Sequence, residues 1–383
     1  AFAFSGYLTG YPPLQLAILR TAIWLPLLLW LILRAMQMPT QWRWWIGASL
    51  VYTTMFFAGH PQTFLHSSYV LGLWMLWLLG GGLARASTNA NEQDTQPVLA
   101  TAHPPHSPRH QLGVHILGLT LFFILALALS AAQLLPSLEL TQLSVRANVD
   151  YAYVSGGFPL QDTWQLLLPG VLTQFSPLYI GIIGLALALV GAVTGRRSAQ
   201  FFLLLTLLFL LLSYGEHGFL YPLFYRFAPG WQLFRGQERA AFVVALALSV
   251  LAGYGATALP SLPYWLRRLL AVTVAVLISA GVYTFGVFWQ LPGQSAVSQI
   301  GYLAIALGTI LLALVLVVVM VLPGWDRRRA VVLTAALLLN LFVVNMGTNL
   351  ANFGPVRKTI LAPEMAALQG AVAQTSTGAT DGE

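Results

Sequence analysis

Residues Leu112–Leu135 read LGVHILGLTLFFILALALSAAQLL, with one ionisable side chain, His115. At 1.5 Å of rise per residue, a helix of this length covers the ~30 Å hydrocarbon core of a bilayer. A soluble helix would carry a charged stripe along one face. None is present, so the stretch predicts a membrane-spanning helix.

The pattern repeats in both directions along the chain. Ten apolar runs predict spans: Leu14–Met36, Trp44–Ala58, Thr63–Leu83, Leu112–Leu135, Leu178–Thr194, Ala199–Ser213, Ala240–Ala258, Trp265–Phe288, Ile300–Leu322 and Ala330–Val344. The whole chain of 383 residues is 58% hydrophobic and 8% charged, with a mean hydropathy of +0.76. No soluble core hides that much apolar side chain. A cytosolic enzyme, a disordered chain and a secreted scaffold are excluded, and the expected fold is an all-α polytopic transmembrane bundle. The absence of cysteine excludes disulfides, thiolate nucleophiles and cysteine–metal sites.

The net charge of +7 does not point to nucleic acid. The basic residues stand in ones, twos and threes beside apolar runs, as topology signals do. If the first span runs from outside to inside, eleven arginines fall in inner turns: Arg34, Arg43, Arg85, Arg109, Arg196, Arg197, Arg267, Arg268 and Arg327 to Arg329. Outer segments hold Arg146, Arg226, Arg235, Arg239, Arg357 and Lys358, with eight of the eleven acids. Arg20 lies within a span, where it snorkels outward or faces a polar cavity. Trp42, Trp44, Trp45 and Trp325 fit an aromatic belt at the inner ends.

This orientation places Ala1–Pro13 outside. Ala1-Phe-Ala-Phe4 reads like the close of another span, so an odd number of spans is expected before Ala1 if the natural start is cytoplasmic. The chain is expected to divide into a membrane domain, residues 1–347, and an outer tail, residues 348–383, cut short at Thr375–Glu383. The long inner loop, residues 84–111, is polar and Pro-broken and reads as a solvated linker. Its His103, His106 and His110 lack a rigid element to make them metal ligands.

The longer outer loops, residues 136–177 and 214–239, place function on the outer face. In the turn Gly59-His60-Pro61-Gln62, glycine and proline explain the bend but not the imidazole or the amide. Pro136 is expected to break the fourth helix, leaving Glu139 on a short interfacial helix beside Arg146. Asp162 reads as a helix cap. The densest polar cluster is Phe234-Arg235-Gly236-Gln237-Glu238-Arg239. In a helix Arg235 and Arg239 share a face, and two guanidiniums at a membrane edge suit a phosphate headgroup.

These segments carry a resemblance. Ala1-Phe-Ala-Phe-Ser-Gly-Tyr-Leu8, Gly59-His-Pro-Gln62, Ala132-Gln-Leu-Leu-Pro-Ser-Leu-Glu139, Leu166-Leu-Leu-Pro-Gly170, Ser176-Pro-Leu-Tyr-Ile-Gly-Ile-Ile183 and Phe234-Arg…Glu-Arg239 stand in the order of the bacterial YfhO-like membrane proteins. The similarity runs from Ala1 to about Leu368. The resemblance implies a GT-C glycosyltransferase of the bacterial cytoplasmic membrane. It implies a polyprenyl-phosphate sugar donor, used on the extracytoplasmic face, and an envelope glycan or lipid as acceptor. Arg235 and Arg239 would bind the donor phosphate, with Glu238 between them among the substrate-binding residues. His60, Gln62 and Glu139 would hold sugar or acceptor hydroxyls, with Glu139 an accessory catalytic candidate. The catalytic aspartate is expected N-terminal to Ala1. No cofactor is required; a divalent cation at Glu139 is compatible, but no ligand set specifies one.

Two other readings stay open. A structural or accessory subunit of a larger membrane complex would use His66 and His115 as packed histidines or pigment ligands. A secondary transporter would use Arg20, but the inverted repeat typical of such proteins is not visible.

Overall fold

The computed structural model describes residues 1–10, 16–93, 108–144, 149–167, 169, 176–194, 196–268 and 327–350, with isolated positions between 271 and 311. The expected spans Trp265–Phe288 and Ile300–Leu322 lie almost wholly outside the described residues, as do Arg146 and the tail. Two compact units result, Ala1–Thr348 and Asn349–Glu383. The helical bundle belongs to the first.

All regular structure among the described residues is helical. Eight principal helices of the described residues run in order: α1 Leu16–Gln37, α2 Trp42–Phe57, α3 Pro61–Gln93, α4 Pro108–Leu143, α5 Ile182–Ala192, α6 Arg197–Ser213, α7 Ala241–Ala258 and α8 Arg327–Leu350. α1 breaks at Ile23–Trp24 into Leu16–Ala22 and Leu25–Gln37, and Pro26 lies in the first turn of the second piece. Proline is tolerated there because the first-turn N–H groups have no helical partner. Among the described residues, four stretches are long and apolar enough to cross a membrane: Leu16–Gln37, Pro61–Gly81, Gly113–Leu143 and Gln237–Ser261. They point to a membrane protein.

The outward surface agrees. Ile116, Leu117, Phe123, Ile124 and Leu127 on α4 are all more than half exposed. So large an apolar face requires lipid or a partner around it.

Two expectations need correction. Pro136 does not end its helix, and α4 continues through it to Leu143. Proline removes one backbone bond, yet the turns on either side keep theirs. Glu139 therefore lies on the extension of a long helix. The loop 84–111 is also shorter than expected, because α3 runs on to Gln93 and α4 begins at Pro108. His103 and His106 fall outside the described residues.

Contacts between helices fix their directions. Gly191 on α5 faces Gly255 on α7, and a Cβ on either would strike backbone, Leu251 O for Gly191 and Leu187 O for Gly255. Each carbonyl lies four residues before the facing glycine. His66 meets both Phe209, near the close of α6, and Phe242, at the start of α7, so α6 and α7 are antiparallel; α5, joined to α6 by four residues, therefore runs parallel to α7. Backbones this close are the small-residue packing that joins helices where no water drives association. α2 and α4 are also parallel, since Trp45 packs on Gly118 and Ser49 Oγ donates to Phe122 O at 3.1 Å. α3 and α6 are antiparallel: His66 meets Phe209, Trp74 meets Phe201, and Arg197 stacks on Trp77.

These directions gather the helix ends into two sets. At one end, guanidiniums stack on aromatic rings. Arg34 lies over Trp30 and Trp44, Arg43 over Trp44, Arg197 over Trp77, and Arg268 over Tyr264 at 4.5 Å. Such pairs suit an interfacial belt. The opposite end carries the starts of α3 and α7 and the close of α6.

Candidate functional site

At this second end, residues far apart in sequence meet around Gln62. Gln62 is almost fully buried, and both halves of its amide are engaged. Its Oε1 accepts from Arg239 Nη1 at 2.8 Å, and its Nε2 donates to Gly236 O at 3.2 Å. Arg239 Nη1 also donates to Arg235 O at 3.0 Å. The first turn of α3 thus holds the segment that leads into α7.

The backbone of that segment is not the helix the sequence suggested. Gly236 has φ +76°, and only Gln237–Ala240 turns, as a 3-10 helix ahead of α7. A left-handed residue costs glycine little and other residues more. A Cβ on Gly236 would lie 2.8 Å from Glu238 Oε1 and 3.3 Å from Arg239 Nη1, so both side chains fold back over this glycine. Arg235 and Arg239 consequently do not share a helix face. Arg235 is exposed, with its guanidinium 5.5 Å from the Tyr153 ring. Arg239 is partly buried, and its Nη2 and Nε make no hydrogen bond among the described residues.

His60 caps α3. Its Nδ1 accepts the Thr63 N–H at 3.1 Å and lies 2.7 Å from Thr63 Oγ1. In a neutral ring this puts the proton on Nε2. Pro61 follows at the first helical position, where its missing N–H costs nothing. Gln62 is thus brought to the Arg239 segment, and His60 stands two residues before it at the start of the same helix.

Glu139 is not joined to it. The side chain is exposed on α4, and no hydrogen bond or ion pair links it to Gln62, Arg235 or Arg239 among the described residues. Asp162 is not a cap either. It lies within the 3-10 turn Leu160–Leu166, whose N-cap is Pro159. Its carboxyl is buried and raised above the usual carboxylate range by desolvation. Arg20 is exposed. His115 lies 3.0 Å from Met36 O through Nε2. His66 is buried, stacked on Trp231 at 4.8 Å and flanked by Phe242. No group of three or more metal-binding side chains occurs among the described residues.

Two contributors escaped the sequence reading. Gln237 is a buried knot: its N–H donates to Gly156 O at 2.8 Å, and its Nε2 donates to Val154 O at 3.0 Å and Phe234 O at 2.7 Å. The segment Ser155–Phe158 then crosses the end of α6. Phe158 N donates to Ser213 O at 2.9 Å, Glu216 N to Ser155 O at 2.7 Å, and Ser155 Oγ to Glu216 Oε2 at 3.0 Å. The sequence signal was the paired Gly156-Gly157 opposite Gly215. A Cβ on Gly157 or Gly215 would strike the backbone of the other segment.

The assembled site offers a guanidinium fixed by a buried amide, a second guanidinium on a tyrosine, and a carboxylate tied to a serine. All three stand at one end of an apolar bundle. The two guanidiniums can hold an anionic headgroup whose tail lies along the helices, while the carboxylate cannot. No family model, no curated protein and no solved structure matches this chain.

Proposed function

We propose that this protein is a membrane glycosyltransferase that draws its sugar from a polyprenyl-phosphate donor and delivers it to an envelope glycan or lipid. The reading includes a ten-span GT-C bundle of the bacterial cytoplasmic membrane, with the Arg239 end extracytoplasmic. The observation that carries it is the Gln62–Arg239 clamp beside exposed Arg235. Arg235 and Arg239, with Arg226 in the same outer segment, stand at the bundle end opposite the inner-turn arginines, where a topology signal alone does not call for them. The YfhO-like order of motifs supports the same reading.

In the proposed reaction an acceptor hydroxyl attacks the anomeric carbon. The bond from that carbon to the phosphate oxygen breaks, a glycosidic bond forms, and polyprenyl phosphate departs. The hydroxyl proton passes to a carboxylate. Arg239 and Arg235 stabilise the charge that grows on the departing phosphate. Gln62 positions Arg239, since both its amide groups are already engaged.

The test is donor consumption. The protein, reconstituted with a panel of polyprenyl-phosphate sugars and a membrane extract as acceptor, should convert one of them to polyprenyl phosphate. Polyprenyl phosphate that binds while every donor stays intact would instead support an accessory lipid-binding subunit.

A further inference from the structure

The turn Tyr151–Val154 stands between two different chemistries. Its start is capped by Asp150, whose Oδ1 accepts the Tyr153 N–H at 2.9 Å. On one flank, Tyr153 carries the Arg235 guanidinium. On the other, Tyr151 packs edge-on against Tyr225, with ring centroids 5.0 Å apart at 81°. Glu216 lies on this second flank. It is exposed, yet two bonds to Ser155 fix it, one through its N–H and one through Oε2. Glu216 Oε1 has no hydrogen-bond partner among the described residues. The Tyr151 phenol is pushed above its ordinary pKa by burial, then by Glu216 and Tyr225, so it remains an O–H donor at neutral pH.

These groups are complementary to a neutral saccharide. A fixed carboxylate accepts from two neighbouring hydroxyls, a phenol O–H donates to a third, and the C–H face of a pyranose ring lies against the partly buried rings of Tyr151 and Tyr225. The arrangement does not select an anion, because the carboxylate repels one. We propose that Glu216, Tyr151 and Tyr225 form a saccharide subsite, one helical turn from the Arg235 phosphate side, that holds an uncharged sugar ring by its hydroxyls.

The inference deepens the glycosyltransferase reading and rests on it for the neighbouring phosphate. It is tested separately. Saturation-transfer NMR on the protein in nanodiscs, with neutral methyl glycosides of glucose, galactose, mannose and N-acetylglucosamine at millimolar concentration, reads sugar contact directly. At least one glycoside should show transfer from aromatic protons. Glu216→Gln keeps a partner for Ser155 and should weaken binding roughly tenfold, as should Tyr151→Phe, which keeps the ring but loses the donor. Thermal melting of each variant confirms that the fold is retained. No transfer with any glycoside, or transfer unchanged in both variants, overturns the subsite. Polyprenyl-phosphate binding is measured in the same nanodiscs. Its failure with sugar contact intact would count against the phosphate reading alone.

Discussion

Arg239 and Gln62 stand 177 residues apart in the chain and are joined by a 2.8 Å hydrogen bond from Nη1 to Oε1. The bond ties the start of α3 to the approach of α7, while Gln62 Nε2 closes the loop on Gly236 O. A partly buried cation gains a fixed acceptor, and the loop gains a fixed position.

Gln62→Leu keeps the volume and removes both bonds. A hydrogen bond to a charged group contributes about 1.5–3 kcal/mol, so the variant should lose roughly that in stability. Thermal melting of Gln62→Leu, Arg239→Ala and the double variant should give a cycle in which the second change costs little after the first. Fully additive losses would show that the bond contributes nothing.

Gly236→Ala should cost about 1–2 kcal/mol, the penalty for an L-residue in the left-handed region. It should also displace Glu238 and Arg239, which flank the added Cβ. Gly156→Ala is the control, since nothing lies within 4 Å of its Cβ position. Equal melting of the two variants would contradict the assigned backbone.

Gly255→Ala drives a methyl group into Leu187 O and should force α5 and α7 apart, at about 1–3 kcal/mol for overpacking. Gly253→Ala on the same helix meets nothing within 4 Å and should be neutral. Comparing their yields and melting temperatures after detergent extraction checks this.

Asp162 predicts a pH dependence. Its folded pKa is raised by burial, so above the ordinary value of about 4 the native state binds more protons than the unfolded state. Its contribution to stability is therefore lost as pH rises from that value through the raised one. Asp162→Asn should melt higher than the parent at pH 7 and converge with it near pH 4. A parent that gains stability relative to the variant between pH 4 and pH 7 would reverse the sign and refute the account.

The helical, apolar character of the chain was legible because long uncharged runs leave few alternatives. The meeting of the Gln62 turn with the Arg239 segment was also legible, since both are polar at span ends in a charge-poor sequence. Three features were not. Gly236 hid a left-handed turn inside a segment of helical spacing, which separated Arg235 from Arg239. Pro136 misled because a lost backbone bond does not end a helix when its neighbours keep theirs. The Ser155–Glu216 pair was invisible because a serine and a glutamate 61 residues apart carry no periodic signal.

The central claim is that Arg235 and Arg239 hold a lipid phosphate, and the direct measurement is polyprenyl-phosphate binding to the protein in nanodiscs, with polyprenol as reference. The parent should prefer the phosphate. Arg235→Ala or Arg239→Ala should weaken binding roughly ten- to a hundredfold, from about 1.5–3 kcal/mol per charge-assisted contact. Lysine at either position should be intermediate, because it keeps the charge and loses the fork. A folded Arg235→Ala, Arg239→Ala double variant that binds polyprenyl phosphate as tightly as the parent would contradict the account.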